Sequence, residues 1–319
     1  MQSGNINGEN DRIQVRPYRP EDRSGAERLL EACGAAGEVG LLPESERKNG
    51  SAKDARAWTA ERAGEVVGIA LLRQKTFHPH TGYLAIRRYP DERGGHAETK
   101  LMEALLAERP RMPLQTSFMP GDAPGAEFYE RFGFAETRRT FMPALRLSEL
   151  QGGTGASEPA VGDRLRIASL AELAGNGEAL NQIAERARDS YRATHTFNPP
   201  GVHPLSVWRR LIEADDVLRA GSFAAFDDAD GSAAAFALLH GEEGGSEAEL
   251  GWLGCAPGQE KAMQKVDEKR MMFCLRSGFD TVSAEIDTTD FYQYPLLERY
   301  GFPPSEPLLT YFRVPASRE

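Results

Sequence analysis

Long apolar runs are absent from this sequence of 319 residues. The longest purely apolar segments, such as Ile69–Leu72 and Ala233–Leu239, are far shorter than the roughly 20 residues that cross a bilayer. The first twelve residues are polar and lack the apolar stretch of a secretory signal. We therefore expect a cytoplasmic protein with no membrane partner, and we predict that residues 1–12 form a disordered tail.

Cysteine is also scarce, and its spacing is uninformative for metal binding. Cys33, Cys255 and Cys274 lie far apart, and an odd count without a CxxC pair argues against a disulfide framework or a structural zinc site. A reducing compartment fits this usage. His78 and His80 flank a proline, but two histidines without further ligands are weak evidence for a metal. We predict that the protein needs no metal.

The net charge of −10 is unevenly distributed along the chain. Residues 1–150 carry as many basic as acidic side chains, so the whole excess lies in residues 151–319. An acidic surface repels a phosphate backbone, which excludes nucleic acid as an expected partner. The same charge either favours a cationic substrate or serves solubility.

Two halves of the sequence follow one plan. Ser148–Asp163 is rich in Gly, Ser and Ala and is typical of a linker. On each side of it strands and helices come in the same order, which indicates duplication of one domain. The pattern predicts an α/β (α+β) fold with two tandem domains, at residues 13–147 and 164–319. Each domain should have a mixed, mostly antiparallel central sheet flanked by helices.

Three segments resemble the GNAT acetyltransferase superfamily. AIRRYPDERGGHAETKLMEALL (85–106) resembles its strand–turn–helix motif, which usually reads Pro-x-x-Arg-Gly-x-Gly-x-Gly/Ala. DAPGAEFYERFGF (122–134) and DTTDFYQYPLLERYGF (287–302) resemble its closing helix in the first and second half. The layout covers nearly the whole chain apart from tail and linker. The resemblance implies two tandem GNAT-like domains and acetyl-CoA as the acyl donor.

The predicted cofactor site lies in the first half. A helix start offers unpaired N–H groups and a positive dipole end, which can bind a pyrophosphate. The resemblance implies that the diphosphate lies over Arg93–Ala97 and the pantetheine arm along Ile86–Arg88. The expected contacts are Ile86, Arg87, Arg88, Arg93, Gly94, Gly95, His96, Ala97, Glu98 and Asp122. However, His96 and Glu98 stand where the family has small residues, and a Glu facing phosphates repels them.

Candidate catalytic residues follow from the same resemblance. Tyr129 matches the family's general acid, which gives a proton to the departing thiolate. Its alternative role is a core aromatic beside Phe128 and Phe132. Leu297 occupies the corresponding position of the second half and has no proton to give. The base stays open.

Candidates for the base and for other roles are less specific. His78, His80 and Tyr83 lie near the first central strand, and Glu249 begins the second one. Asp122 and Asp290 each either contact a cofactor or cap the helix that follows. Residues 191–206 either cover an acceptor pocket or form a packed connection.

These observations favour an N-acetyltransferase with one acetyl-CoA site in residues 13–147, acting on a small-molecule amine by direct transfer. The second domain would shape the acceptor pocket or stabilise the first. We expect a monomer, as an intramolecular pseudo-dimer, or a homodimer. The alternative is a non-catalytic ligand-binding or structural protein in which both cofactor sites have decayed. His96, Glu98 and Leu297 favour that alternative.

Overall fold

The computed structural model describes residues 12–43, 55–92, 96–108, 110–150 and 165–315. It contains two compact units. Unit 1 extends to Thr137 and also includes Phe197–Gly201 and the residues from Leu308 onward. Unit 2 comprises Arg138–Thr196 and Val202–Pro307. Nearly all of the predicted tail, most of the linker and the cofactor residues Arg93, Gly94 and Gly95 lie outside the described residues.

Strands and helices alternate in both units. The strands are β1 (Gln14–Pro17), β2 (Arg56–Arg62), β3 (Glu65–Gln74), β4 (Gly82–Arg88), β5 (Leu114–Phe118), β6 (Ala135–Phe141), β7 (Ala144–Arg146), β8 (Leu165–Ser169), β9 (Phe223–Asp227), β10 (Ala233–Gly241), β11 (Glu247–Cys255), β12 (Thr281–Ala284), β13 (Ile286–Asp287) and β14 (Leu308–Arg313). The α-helices are α1 (Arg23–Ala32), α2 (His96–Ala107), α3 (Ala126–Arg131), α4 (Gly177–Thr194), α5 (Leu205–Ile212), α6 (Glu260–Arg276) and α7 (Leu296–Tyr300). None of these helices combines the length and apolar character that crossing a membrane needs.

The sheet of unit 1 is ordered β1-β2-β3-β4-β5-β14. Only the β4–β5 pair within this series is parallel. Alternate residues of β3 face opposite sides of the sheet. Ile69 and Leu71 pack with α1, whereas Ala70 and Leu72 share a core with α2. The sheet therefore lies between two helices, each burying one face.

The sheet of unit 2 is ordered β7-β12-β11-β10-β9-β8. It is again mixed, because β11 and β12 run parallel and the neighbouring pairs run antiparallel. Helices α4 and α6 both pack on β10 and β11. The predicted α/β class, with two mixed sheets flanked by helices, is confirmed.

The parallel strands diverge in each unit. In unit 1 the β4–β5 ladder has two residue pairs, Gly82↔Leu114 and Tyr83↔Gln115, and β4 then runs on to Arg88. In unit 2 the β11–β12 ladder ends at Leu250↔Ala284, and β11 runs on to Cys255. Each divergence opens a notch beside the free edge of the longer strand.

The closing strands are exchanged between the sequence halves. β14, from the end of the chain, pairs with β5 in unit 1 from Leu309↔Phe118 to Arg313↔Leu114. β7, from the first half of the sequence, pairs with β12 in unit 2. Each unit is therefore completed by a strand from the other half of the sequence.

Candidate functional site

Tyr129 on α3 is fixed in the core of unit 1. Its side chain is 1% exposed. The ring stacks on Phe118 of β5, with centroids 5.1 Å apart, and meets Phe128 and Phe134 edge to face at 5.2 and 5.5 Å. These contacts hold the ring in one orientation against β5.

The hydroxyl of Tyr129 is both buried and hydrogen-bonded. It shares a hydrogen bond with the hydroxyl of Thr116, also on β5. Burial raises the pKa of Tyr129 to about 12, and the Thr116 hydrogen bond opposes that rise. The phenol consequently keeps its proton throughout the neutral range. Burial of this kind suits a core aromatic and a proton donor alike, so the catalytic role stays a prediction.

The predicted cofactor contacts on β4 already have partners within unit 1. Ile86 is fully buried in the core beneath α2. Arg87 donates to the carboxylate of Glu38 at 2.6 Å. Arg88 forms an ion pair with Glu98.

Glu98 lies in the first turn of α2 and is 3% exposed. Its carboxylate binds Arg88 through Oε1, while Oε2 is buried without a hydrogen-bond partner among the described residues. A negative group in the first turn also interacts favourably with the helix dipole. The anion-binding end of α2 therefore already carries an internal anion. Of the neighbouring predicted contacts, His96 is exposed and Ala97 is buried in the core.

The two aspartates of the closing segments behave differently. Asp122 accepts a hydrogen bond from the N–H of Met119, and the residue that caps α3 is Gly125, which makes no side-chain cap bond. The helix-capping alternative for Asp122 is therefore wrong, because its side chain turns back along the chain. Asp290 accepts bonds from the N–H groups of Tyr292 and Gln293 at 2.9 and 3.1 Å, so it caps a turn. It does not cap the helix that follows, because α7 begins at Leu296 after Pro295 and has no side-chain cap bond.

Asn198 is a site residue that sequence reasoning missed. It belongs to unit 1, is buried, and donates through Nδ2 to the Tyr83 hydroxyl at 2.6 Å and to Gln115 Oε1 at 2.9 Å. Tyr83 and Gln115 are the last pair of the β4–β5 ladder. The segment Phe197–Gly201 is thus a packed connection beside the notch. No sequence signal links Asn198 to residues so distant along the chain.

The remaining candidates for the base are divided between the two units. His78 and Tyr83 lie in unit 1, whereas Glu249 lies on β11 of unit 2. Leu297 is half-buried and packs against the core of unit 2. Within the described ranges, no group of three or more His, Cys, Asp or Glu side chains is placed to hold a metal ion.

A cleft of about 200 Å³ opens in unit 2 where β11 and β12 diverge. It is bounded by residues 249–253 of β11, by residues 285–293 and by the second half of α4. We call it the unit 2 cleft. Unit 2 therefore has a partly open volume at the position where the parallel strands separate.

Comparison with known proteins agrees with the predicted resemblance. Residues 25–134 match the model of the Acetyltransferase (GNAT) family. No curated protein matches the sequence significantly. Three solved structures share the fold at low sequence identity, and their likeness concerns the fold alone.

A GCN5-related N-acetyltransferase from Sphaerobacter thermophilus is 15% identical, with a TM-score of 0.58 over 95% of this chain and 96% of that chain. A tandem GNAT protein from the clavulanic acid biosynthesis pathway is 15% identical, with a TM-score of 0.54 over 97% and 100%. The glucosamine N-acetyltransferase region of a fungal multi-domain GH3 β-N-acetylglucosaminidase is 14% identical, with a TM-score of 0.60 over 94% and 38%. The first two matches span both units of this chain.

Proposed function

We propose that this chain is an acyltransferase of the GNAT superfamily with two tandem domains, in which unit 1 binds acetyl-CoA and transfers its acetyl group to a small-molecule amine. The family match at residues 25–134 falls on unit 1 and supports this choice of unit. The notch between β4 and β5 is the proposed reaction site.

The observation that carries the proposal is the environment of Tyr129. Its ring is held by Phe118 and its hydroxyl by Thr116, both on β5, the strand that diverges from β4. A pKa of about 12 keeps the proton on the phenol at neutral pH, so Tyr129 is available as a donor. The same burial would raise the basicity of a thiolate that forms beside it, which favours transfer of the proton to the departing sulfur.

The residues of unit 1 suit the thioester end of acetyl-CoA better than its diphosphate. Beyond Tyr83, the β5-facing edge of β4 has no strand partner within the described ranges, so its backbone groups can pair with an extended amide-bearing arm. The diphosphate end is less favourable, because the Glu98 carboxylate lies at the start of α2. Its ion pair with Arg88 offsets part of that negative charge.

The chain's residues have two tasks in this reaction. Acetyl-CoA, when bound, supplies the acetyl group as a thioester. N–H groups on the free edge of β4 near Ile86–Arg88 polarise the thioester carbonyl. As the amine nitrogen bonds to the carbonyl carbon and the C–S bond breaks, Tyr129 donates its proton to the leaving sulfur. The proton lost by the amine passes to solvent, from which Tyr129 is reprotonated.

A binding experiment on the full chain tests the proposal. Acetyl-CoA at about 100 times its dissociation constant should raise the free energy of unfolding by about 2.7 kcal/mol. A screen of amines that measures release of free thiol then identifies the acceptor. Unchanged thermal unfolding at millimolar acetyl-CoA would instead support the ligand-binding alternative.

A further inference from the structure

We propose that the unit 2 cleft is a second binding site, for a compact ligand that carries a protonated amino group. It lies beside β11 and is separate from the acyl-transfer site proposed for unit 1. At about 200 Å³ it is smaller than the 300–1,000 Å³ typical of pockets for drug-sized ligands. The volume therefore selects a small molecule.

Gln293 indicates that a hydrogen-bond donor is missing from the cleft. This side chain lines the cleft and is 5% exposed, yet its Oε1 atom has no hydrogen-bond partner among the described residues. A buried acceptor without a partner costs about 1–3 kcal/mol. Since an amide oxygen only accepts, the ligand that satisfies it must present an N–H or O–H group.

Ser190 on α4 is a second buried polar group in the cleft lining and is 5% exposed. Its Oγ atom lies within hydrogen-bonding reach of the Tyr292 hydroxyl, which also lines the cleft. Gln293 therefore supplies the acceptor that lacks a partner, and Ser190 and Tyr292 add two hydroxyl groups to the lining.

The charge of the cleft identifies the donor as cationic. Four carboxylates line it, and no lysine or arginine does. Asp287 is paired with Arg138 at 3.0 Å, and Asp290 is bonded to two backbone N–H groups. Glu249 forms no ion pair with any described residue, which leaves its charge available to a ligand. Besides Arg138, Arg186 interacts electrostatically with the lining, through Tyr292.

Aromatic rings line the cleft on both α4 and β11. Tyr191 and Trp252 both line the cleft, with ring centroids 5.1 Å apart, and Tyr292 lines it as well. Aromatic faces attract ammonium groups. The carboxylates do not form a metal site, since no group of three or more described His, Cys, Asp or Glu side chains is placed to hold a metal ion. An organic ammonium ion is therefore the ligand class that fits charge, rings and hydrogen-bond needs together.

Binding without acetyl transfer is expected in unit 2. Leu297 stands where unit 1 has Tyr129, and it packs against the core. The helix that would bind a diphosphate, α6, begins with Glu260. Unit 2 thus lacks both the proton donor and a favourable phosphate site, while it keeps the cleft.

Isothermal titration calorimetry of the full chain tests the proposal with phenethylamine and with 2-phenylethanol, its uncharged counterpart of similar size. A second amine, 1,5-diaminopentane, tests a non-aromatic ligand. At least one amine should bind, and 2-phenylethanol should bind at least about tenfold more weakly than phenethylamine. Equal affinity for the amine and the alcohol, or no binding of either amine up to about 10 mM, would overturn the proposal.

Two substitutions locate the binding. Glu249→Gln and Gln293→Leu should each raise the dissociation constant of the bound amine at least about fivefold. Glu247→Gln is the matched control, because Glu247 lies on the same strand and the same side of the sheet but outside the unit 2 cleft, and it should change nothing. Unchanged amine affinity in both cleft variants would reject the site. Thermal unfolding of each free variant verifies that it is folded.

Separate measurements distinguish failure of the acyl-transfer proposal for unit 1 from failure of the amine-binding proposal for unit 2. Acetyl-CoA affinity should be the same in wild type and in the Glu249→Gln and Gln293→Leu variants, because those residues belong to unit 2. Amine binding to the unit 2 cleft should likewise persist in a Tyr129→Phe variant. Loss of amine binding in Tyr129→Phe would assign the amine to unit 1 and contradict the inference.

Discussion

At the start of α2, one carboxylate determines the charge that an incoming diphosphate meets. Glu98 replaces a small residue of the GNAT pattern, is buried, and pairs with Arg88 while its second oxygen lacks a partner. Arg88 is the cation that pairs with Glu98 at that helix end. Removal of Glu98 would therefore both remove a repulsion and release a guanidinium group for phosphate binding.

We predict that Glu98→Ala lowers the dissociation constant of acetyl-CoA about tenfold, which corresponds to about 1.4 kcal/mol. S-acetylpantetheine, which lacks the diphosphate, should gain no affinity. Glu103→Ala provides the control, since Glu103 is exposed on the same helix. Calorimetric titration of wild type, Glu98→Ala and Glu103→Ala with each of the two thioesters gives six dissociation constants. The two wild-type values serve as the reference. An equal gain in affinity for both thioesters would contradict the prediction. It would show that Glu98 affects binding through the stability or shape of the site and not through repulsion of the diphosphate.

Removal of the Tyr129 hydroxyl tests the proposed general-acid role of this residue. We predict that Tyr129→Phe lowers kcat about 100-fold, as expected for loss of a general acid, with little change in acetyl-CoA affinity. Tyr311→Phe is the control. Tyr311 is buried, packs on the same Phe118 ring at 5.2 Å and donates its hydroxyl to Glu130, so its loss is structurally similar. Equal kcat values for Tyr129→Phe and wild type would leave Tyr129 as a core aromatic.

The sequence motifs predicted which residues are candidates for the site, but they did not predict which residues these contact. The motif spacing singled out Tyr129 and Glu98, because each belongs to a short segment with a recognisable pattern. The partners Thr116 and Asn198 come from separate elements, and their hydrogen bonds exist only after the sheet has formed. Such contacts leave no local periodicity for sequence analysis to detect.

At the scale of elements, the starts of two helices are set by turns that a helical sequence pattern does not reveal. Helix α4 begins at Gly177. Gly175 adopts a φ of +83°, and the Asn176 side chain accepts the Ala179 N–H, so a turn precedes the helix. Helix α7 begins only at Leu296, because Asp290 first organises a turn.

This turn before α7 carries a pH dependence. Burial raises the pKa of Asp290 from 3.8 to about 6, the nearby Asp287 charge adds to the rise, and the Tyr292 and Gln293 N–H groups oppose it. Between these values the unfolded chain releases the proton first. The stability that the protonated group contributes is therefore complete below pH 3.8 and is lost as the pH rises through about 6.

We predict that Asp290→Asn becomes progressively more stable relative to wild type between pH 4 and pH 7, measured by urea unfolding across that range. An Asn oxygen can still accept both N–H groups, so the turn should persist. Asp230→Asn should show no such trend in this range, because hydrogen bonds from Ser232 lower the pKa of Asp230 and its contribution to stability is already complete above pH 3.8. A pH-independent difference between wild type and Asp290→Asn would contradict the assignment.

At the scale of the whole molecule, the exchanged closing strands make the two sequence halves interdependent. The linker composition indicated where two domains meet, and the duplicated order of elements indicated their class. Strand exchange could not be read from either signal, because β14 and β7 have ordinary strand patterns and their partners are chosen by sheet edges far away in sequence. Cutting the sequence at its linker therefore does not separate the units of the structure.

We predict that residues 1–150 expressed alone are insoluble or unfolded, and that co-expression with residues 151–319 restores a soluble complex. The fragment lacks β14, so β5 would expose an unpaired edge along five residues and Phe118 would lose the Tyr311 ring that packs on it. Phe118 is also the ring that holds Tyr129, so acetyl-CoA binding should be lost with solubility. Size-exclusion chromatography and circular dichroism of the fragment, with the co-expressed pair as control, measure the outcome. A soluble fragment that unfolds cooperatively and binds acetyl-CoA would mean that β14 is dispensable, and the notch would then be a property of the first sequence half by itself.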